Sequence, residues 1–510
     1  MSPTTLPAAY DSLLAHSRQR KFLEGTAAIL SWDQETMMPP GGVEFRGDQL
    51  AQLAALGHRM TVEPQVGEWL DRADQAMAGR LPEDAPERVN LREWRRDREK
   101  AMKLPESLVE ELAKVTSVAQ HEWAEARRHS DFARFRPWLE KILELNRRKA
   151  ECLGWNRAGG EPWDALADLY EKGMTATQVE AVFTPLERRL KDLVARIVGA
   201  PRRPGDRFDR LELPEAQQEA FVRFAARAIG FDFERGRLDR STHPFCGGSH
   251  RGDVRITTRF KPSLALDALG STMHECGHAI YEQGLPAEHL GTPMGEATSL
   301  AVHESQSRLW ENQVGRSREF WQWMTPRLRE FFGAAVDGID AEEMHGCANR
   351  VSPGFIRVEA DEATYNLHVM IRFDLERRML RGDLAVADLP AAWNARYQNL
   401  LGVTVPDDRR GCLQDVHWSM GAMGYFPTYT LGNLIAAGLF EAVKRDLPEV
   451  PAMFARGEFA PLHEWLHAKV HAHGRRHDAA TLHRLVTGRE VSADPLLRYL
   501  EGKLLPLHGL

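Results

Sequence analysis

Cysteine is scarce in this chain: five in 510 residues, at Cys152, Cys246, Cys276, Cys347 and Cys412. They are scattered and odd in number, which argues against a disulfide framework and fits reduced thiols in a cytoplasmic protein. An apolar h-region is missing from the opening "MSPTTLPAAYDSLLAHSRQRKF", so no signal peptide is expected. No run approaches the ~18 apolar residues of a membrane span. Charge of one sign is also lacking. The net charge is −7, and runs such as "RRDREK" at 95–100 mix both signs and read as solvated helix faces. Neither a nucleic acid nor a membrane is therefore expected as a partner. There is no convincing internal repeat and no low-complexity tract.

What is present is enough apolar residue, 43% of the chain, for one large core or two fused ones. The patterning is mostly helical. "FRPWLEKILELNRRKAECL" places Trp138, Leu139, Ile142, Leu143 and Leu145 near one stripe, and "ADEATYNLHVMIRFDLERRML" does the same with Leu367, Met370, Ile371 and Leu375. "LGNLIAAGLFEAVKRD" reads as a third amphipathic helix. Breaks rich in Pro and Gly fall at "LPEDAPE" (81–87) and "GAPRRPGDRFD" (199–209). One region alternates instead. Val254, Ile256, Thr258 and Phe260 interleave with Asp253, Arg255, Thr257 and Arg259, a period of two and hence a strand, with "CGGSHRG" turning the chain into it.

Just after that strand comes "STMHECGHAIYEQG" (271–284). On a helix His274 and His278 are i and i+4, so both imidazoles leave one face and can grip one metal. Glu275 lies beside them as a base for a water that zinc brings to a pKa near 7. The alternative is two satisfied histidines on a buried helix. A third ligand is needed, and "GTPMGEATSLAVHESQSRLWENQ" downstream offers Glu296 and Glu304, with His303 a neighbour. Spacing alone leaves both open. Cys276 is i+2 from His274 and points away from the metal, a small buried residue that mercury compounds could still attack.

The pattern recurs as "HEWLH" (463–467), with Glu490 following at a plausible distance. Trp465 and Leu466 fill its middle positions, no strand precedes it, and it reads as an ordinary helix with His463 facing solvent.

Several ordered segments together resemble the carboxypeptidase Taq family of metallocarboxypeptidases, over nearly the whole chain. They are "SWDQETMMPPGG" (with Met37 where the family often has an aromatic), "HPF" at 243–245, "DVRIT" at 253–257, "HECGH" followed by "HESQ" at 303–306, "IRVEAD" at 356–361 and "GCLQDVHW" at 411–418. The resemblance implies that the metal ligands are His274, His278 and Glu304, and that "HEWLH" is not a family motif. It implies a mostly α zinc-peptidase fold with a deep groove and a small β-sheet next to the HECGH helix, one catalytic domain over 1–510 with an N-terminal helical part to about 205 and a zinc-site part from about 206. It implies a homodimer that removes single C-terminal amino acids from peptides with a free C-terminus, with broad specificity and poor cleavage next to proline. One zinc per chain is expected, with cobalt as a substitute.

The chemistry assigns roles on this basis. Glu275 is the general base and later the proton donor. A phenol or imidazole should stabilise the oxyanion. "GYFPTYTLGN" offers Tyr425 and Tyr429, and its likeness to the tyrosine-rich segment of related helical zinc endopeptidases favours Tyr429; His417 is a second candidate. Core packing is the alternative for both tyrosines. An arginine fork suits a terminal carboxylate. Arg357 is the first choice, ahead of Arg255, which could simply bridge to Asp253 along the strand, and Arg350. His243 and Gln414 complete the substrate-binding set. Two rivals stand beside this reading: an endo-oligopeptidase of the same chemistry, and a non-enzymatic helical scaffold.

Overall fold

The computed structural model describes residues 7–510; residues 1–6 of the stretch inspected for a leader lie outside it. The apolar stripes become helices. Phe132–Leu153 is capped by Asp131, whose side chain accepts from the Arg134 amide at 3.2 Å, and buries Leu139, Ile142, Leu143 and Leu145 while Trp138 stays half-buried. Glu362–Arg381 is capped by Asp361, which accepts from Ala363 and Thr364, and stops on Gly382 at φ 87°. That helix buries polar residues too, Asn366, His368, Arg372 and Glu376, each hydrogen-bonded, as burial of a polar group demands. The third expected helix is Pro427–Asp446. No helix among the described residues is long and apolar enough to cross a membrane.

The alternating stretch forms a sheet of three strands in the order β1-β3-β2: β1 Gly236–Arg240, β2 Cys246–His250 and β3 Asp253–Thr258. β1 runs parallel to β3 and β2 antiparallel. Two expectations change here. "CGGSH", read as a turn, is itself strand β2. Its glycines have little strand propensity, and pairing with β3 supplies what they lack. Phe260, counted in the alternation, lies beyond the end of β3; Thr257 is fully buried, with its hydroxyl bonded to Ser241 and the Phe245 backbone.

The chain divides into two compact units. One comprises 7–102, 206–348 and 439–489 and holds the sheet; the other comprises 103–205, 349–438 and 490–510. The chain crosses between them near 102, 205, 348, 438 and 489. The second unit has a core of its own around Trp163, Phe183, Leu367, Phe373, Trp393 and Leu497.

Candidate active site

The HECGH motif lies in the helix Ala265–Gly284, which follows β3 and is buried along most of its length. The helix Leu300–Arg308, capped by Ser299, carries "HESQ". Gly277 lets the two approach: a Cβ there would sit 2.5 Å from the Ser307 Cα and 2.6 Å from the Gln306 carbonyl oxygen. The close packing brings His274, His278 and Glu304 together, with one ligand atom from each within 4.8 Å of the others. His274 Nε2 is 3.7 Å and His278 Nε2 3.5 Å from Glu304 Oε2. Ligands bound at 2.0–2.2 Å around a tetrahedral ion lie roughly 3.4 Å apart, so this two-nitrogen, one-oxygen set fits zinc. Glu296, the other carboxylate the spacing allowed, is instead paired with Lys21 and Arg475.

The far side of each imidazole is also held. His274 Nδ1 donates to Glu311 Oε2 at 2.9 Å, which leaves Nε2 with a lone pair for a metal. His278 Nδ1 is 2.5 Å from His303 Nδ1, and His303 Nε2 is 2.8 Å from Glu282 Oε1. Glu304 is anchored by Arg308 Nε at 2.6 Å. Burial alone raises a carboxyl, but Arg308 and His274 outweigh it and hold Glu304 well below the usual range. Arg308 with the His274 hydrogen bond does the same for Glu311. Glu275 is 6% exposed; burial, with Glu304 and Glu311 nearby, outweighs the pull of His274 and Arg308 and pushes it up to about 7. A base poised near neutrality suits proton transfer.

Sequence reasoning missed Glu311, Glu282 and Arg308. Each stood at a helical interval from a residue of this group: Glu282 is i+4 from His278, Arg308 i+4 from Glu304, and Glu311 i+7 from Glu304. The last is carried on a π-helical turn, Leu309–Val314, a feature common at functional sites. Beside this centre lies a cavity of about 400 Å³, lined by Lys21, Glu282, Glu296, His303 and the β2 residues Cys246, Gly247, Gly248 and Ser249. Cys276 is buried.

The other expected residues of this unit are engaged differently. Arg255 forks onto Asp253, Nε to Oδ1 at 2.8 Å and Nη2 to Oδ2 at 3.1 Å, along the strand. His243 is exposed in the segment between β1 and β2. In the second motif, helix Ala460–Lys469, His463 does not face solvent: it is half-buried, its ring 3.2 Å from where a Gly230 Cβ would be. Trp465 and Leu466 point inward and no carboxylate joins the histidines in a metal-sized group among the described residues.

In the second unit, Arg357 is 5% exposed. Its Nε and Nη2 donate to Asp415 Oδ1 at 3.1 and 2.9 Å, and its Nη1 to the Tyr365 hydroxyl at 2.9 Å. A guanidinium has five N–H groups, so one on each terminal nitrogen remains. Asp415 Oδ2 accepts from Arg372 at 2.6 Å. The Arg357 guanidinium stacks 4.9 Å over Tyr429. The Tyr429 hydroxyl meets His417 Nε2 at 3.2 Å, and the Tyr425 ring lies 5.4 Å from that of Tyr429. Burial pushes His417 down to about 3, so the ring is neutral. Gln414 commits its amide to backbone: the oxygen to the Arg357 N–H, the nitrogen to Phe355, Arg410 and Gly411 carbonyls. It braces the loop that carries Asp415 and His417. Arg350 is exposed.

The HECGH–HESQ pair presents two imidazoles and a carboxylate in a group of the size that holds a metal ion; comparison with known proteins gives the family. The model of the carboxypeptidase Taq (M32) metallopeptidase family matches residues 12–504. The chain is 45% identical to thermostable carboxypeptidase 1 of Thermus thermophilus, over 99% of this chain and all of the relative. It is 36% identical to carboxypeptidase 1 of Bacillus subtilis, over 95% of each. Among solved structures, the M32 carboxypeptidase of Deinococcus radiodurans superposes with a TM-score of 0.94 at 41% identity, covering 99% of this chain and all of that one. A Pyrococcus furiosus carboxypeptidase gives 0.93 at 35%, covering 98% and all. The chain belongs to the carboxypeptidase Taq (M32) family and is a peptide hydrolase of the metallocarboxypeptidase class.

Proposed function

We propose that the chain is a zinc carboxypeptidase that releases single C-terminal residues with broad specificity. The observation that carries this is the His274–His278–Glu304 group with Glu275 buried beside it. A zinc ion held by these three would supply a Lewis acid for the scissile carbonyl and an acidified water. Glu275 takes the proton of the attacking water and delivers it to the leaving amine. Glu311 and the His303–Glu282 pair fix the imidazoles in the tautomer a ligand needs. Tyr429 and His417 are the groups assigned to the oxyanion, with Tyr425 beside them. Arg357 is assigned to the substrate carboxylate through its two remaining N–H groups, which could form two parallel bonds. His243 and Arg255 stay in the substrate-facing set in a lesser role; Gln414 acts by holding the loop. The five free thiols support a cytoplasmic setting, and the family resemblance supports a homodimer.

A timed digest of an unblocked peptide, read by mass, tests this. A ladder shortened one residue at a time from the C-terminus is expected, with the C-terminal amide of the same peptide cut poorly. Internal cuts, or equal cleavage of acid and amide, would replace this reading with the endopeptidase.

A further inference from the structure

The segment after the second histidine motif has a task of its own. His471 is fully buried. Its Nε2 meets Gln306 Oε1 at 3.1 Å, on the HESQ helix two residues from Glu304. Its ring lies 5.1 Å from that of Tyr281 on the HECGH helix, and its Nδ1 is 2.5 Å from where a Gly284 Cβ would be. Gln306 Nε2 donates to Ser305 Oγ at 3.0 Å, so Oε1 is its accepting end and His471 Nε2 carries the proton. One imidazole therefore touches both metal-bearing helices.

The turn that follows holds the approach to the HESQ helix. Gly474 has φ 51°, and a Cβ there would fall 1.9 Å from the Met294 carbonyl oxygen. The Thr298 hydroxyl donates to the Gly474 carbonyl at 2.6 Å, and the Thr298 amide donates to the Tyr281 hydroxyl at 3.0 Å. Arg475 joins Glu296 at 3.2 Å to Glu93 and Asp97. Residues 293–306 are thus gripped at Met294, Glu296, Thr298 and Gln306 by one short segment.

We infer that His471 and the Gly474–Arg475 turn form a brace that sets the HESQ helix against the HECGH helix, and so sets Glu304 against His274 and His278. His471 is a positioning residue acting through Gln306. The inference rests on that group being the metal site.

The test is metal affinity, by competition of the purified chain with a chromogenic chelator for zinc, alongside Tm. His471→Leu keeps apolar bulk and removes the donor; affinity should fall roughly 10- to 100-fold, as when a partner behind a ligand is lost. His471→Gln restores an N–H at similar reach and should recover most of it. Gln306→Leu should mimic His471→Leu, and the double variant should lose little more than either alone, since coupled partners are not additive. His483→Leu, another buried histidine of the same unit, 3% exposed, should lower Tm and leave zinc affinity alone. Should His471→Leu fail to fold, Thr298→Val loosens the turn from the other side, and zinc should still weaken severalfold. Unchanged affinity in the folded His471 or Thr298 variant, or full additivity with Gln306, overturns the brace. A parent that binds no zinc instead removes the metal reading on which it rests.

Discussion

Two helices of this chain carry the same five-residue pattern, and among the described residues only one of them has its two histidines grouped with a carboxylate at metal-binding distance. In Ala265–Gly284 the residues between the histidines include Cys276 and Gly277, and the missing side chain at Gly277 lets the HESQ helix come to backbone distance. In Ala460–Lys469 the corresponding places hold Trp465 and Leu466, which are buried in the core, while Glu464 and His467 are exposed. The pattern positions two imidazoles on any helix. It becomes a metal-sized group where a second helix brings an oxygen within reach, and that depends on small residues at the contact rather than on the histidines.

The comparison is broken most severely by exchanging its histidines. His278→Ala should remove both bound zinc and activity, because two ligands do not make a structural or catalytic zinc site. His463→Ala should leave zinc content at about one per chain and turnover unchanged. Metal analysis of the two purified variants decides it, and loss of zinc on the His463 side would move the site to the other helix. The glutamates make the next pair. Glu275→Gln keeps size and packing but cannot take a proton, so zinc should remain while kcat falls by roughly 10²–10⁴-fold. Glu464→Gln should have no effect. Near-normal turnover in Glu275→Gln would assign the water's proton to another group.

Arginines sharpen the contrast on a smaller scale. Arg255 and Arg357 both fork onto an aspartate and both pack over a ring, Trp32 at 4.5 Å and Tyr429 at 4.9 Å, but Arg357 also shares Asp415 with Arg372. A charge-assisted hydrogen bond contributes roughly 1.5–3 kcal/mol, so Arg357→Ala should lower kcat/KM for free-acid peptides about 10- to 200-fold and change little for amidated ones. Arg357→Lys should recover part of it. Arg255→Ala should discriminate no worse between acid and amide than the parent. If Arg357→Ala keeps that discrimination, the carboxylate is read by Arg255 or Arg350 instead.

The helices with clear stripes, strand β3 and the His274–His278 face were legible because each depends on a local period. β2 was not, since two glycines carry no pattern and the strand exists through its pairing. Glu311 stood at i+7 from Glu304, but its hold on His274 joins two separate helices and leaves no local period, and the half-burial of His463 depends on Gly230, far away in sequence. Asp415 was visible inside "GCLQDVHW" but its joint hold on Arg357 and Arg372 was not, because the three residues come from separate segments. Interleaving of the two units is invisible to a linear reading for the same reason.

Buried carboxylates extend the comparison to the second unit. Glu304 and Glu311 are held low because Arg308 and His274 offset their burial. Glu376 is just as buried but meets only neutral donors: Trp163 Nε1 and Trp418 Nε1, each at 2.8 Å, and the Gly424 amide at 2.5 Å. Burial dominates there and pushes its pKa from 4.5 up to about 7. Between those values the folded chain keeps a proton on Glu376 that the unfolded chain has released. More protons bound in the folded state means that stability falls as pH rises through this window. The parent should therefore lose a few degrees of Tm between pH 5 and pH 7 relative to Glu376→Gln. The variant's Tm should decline less steeply than the parent's across this window, since Glu275, also pushed up to about 7, titrates in both. Parallel slopes in the two proteins would mean that Glu376 is already ionised at pH 5, with its three donors outweighing burial.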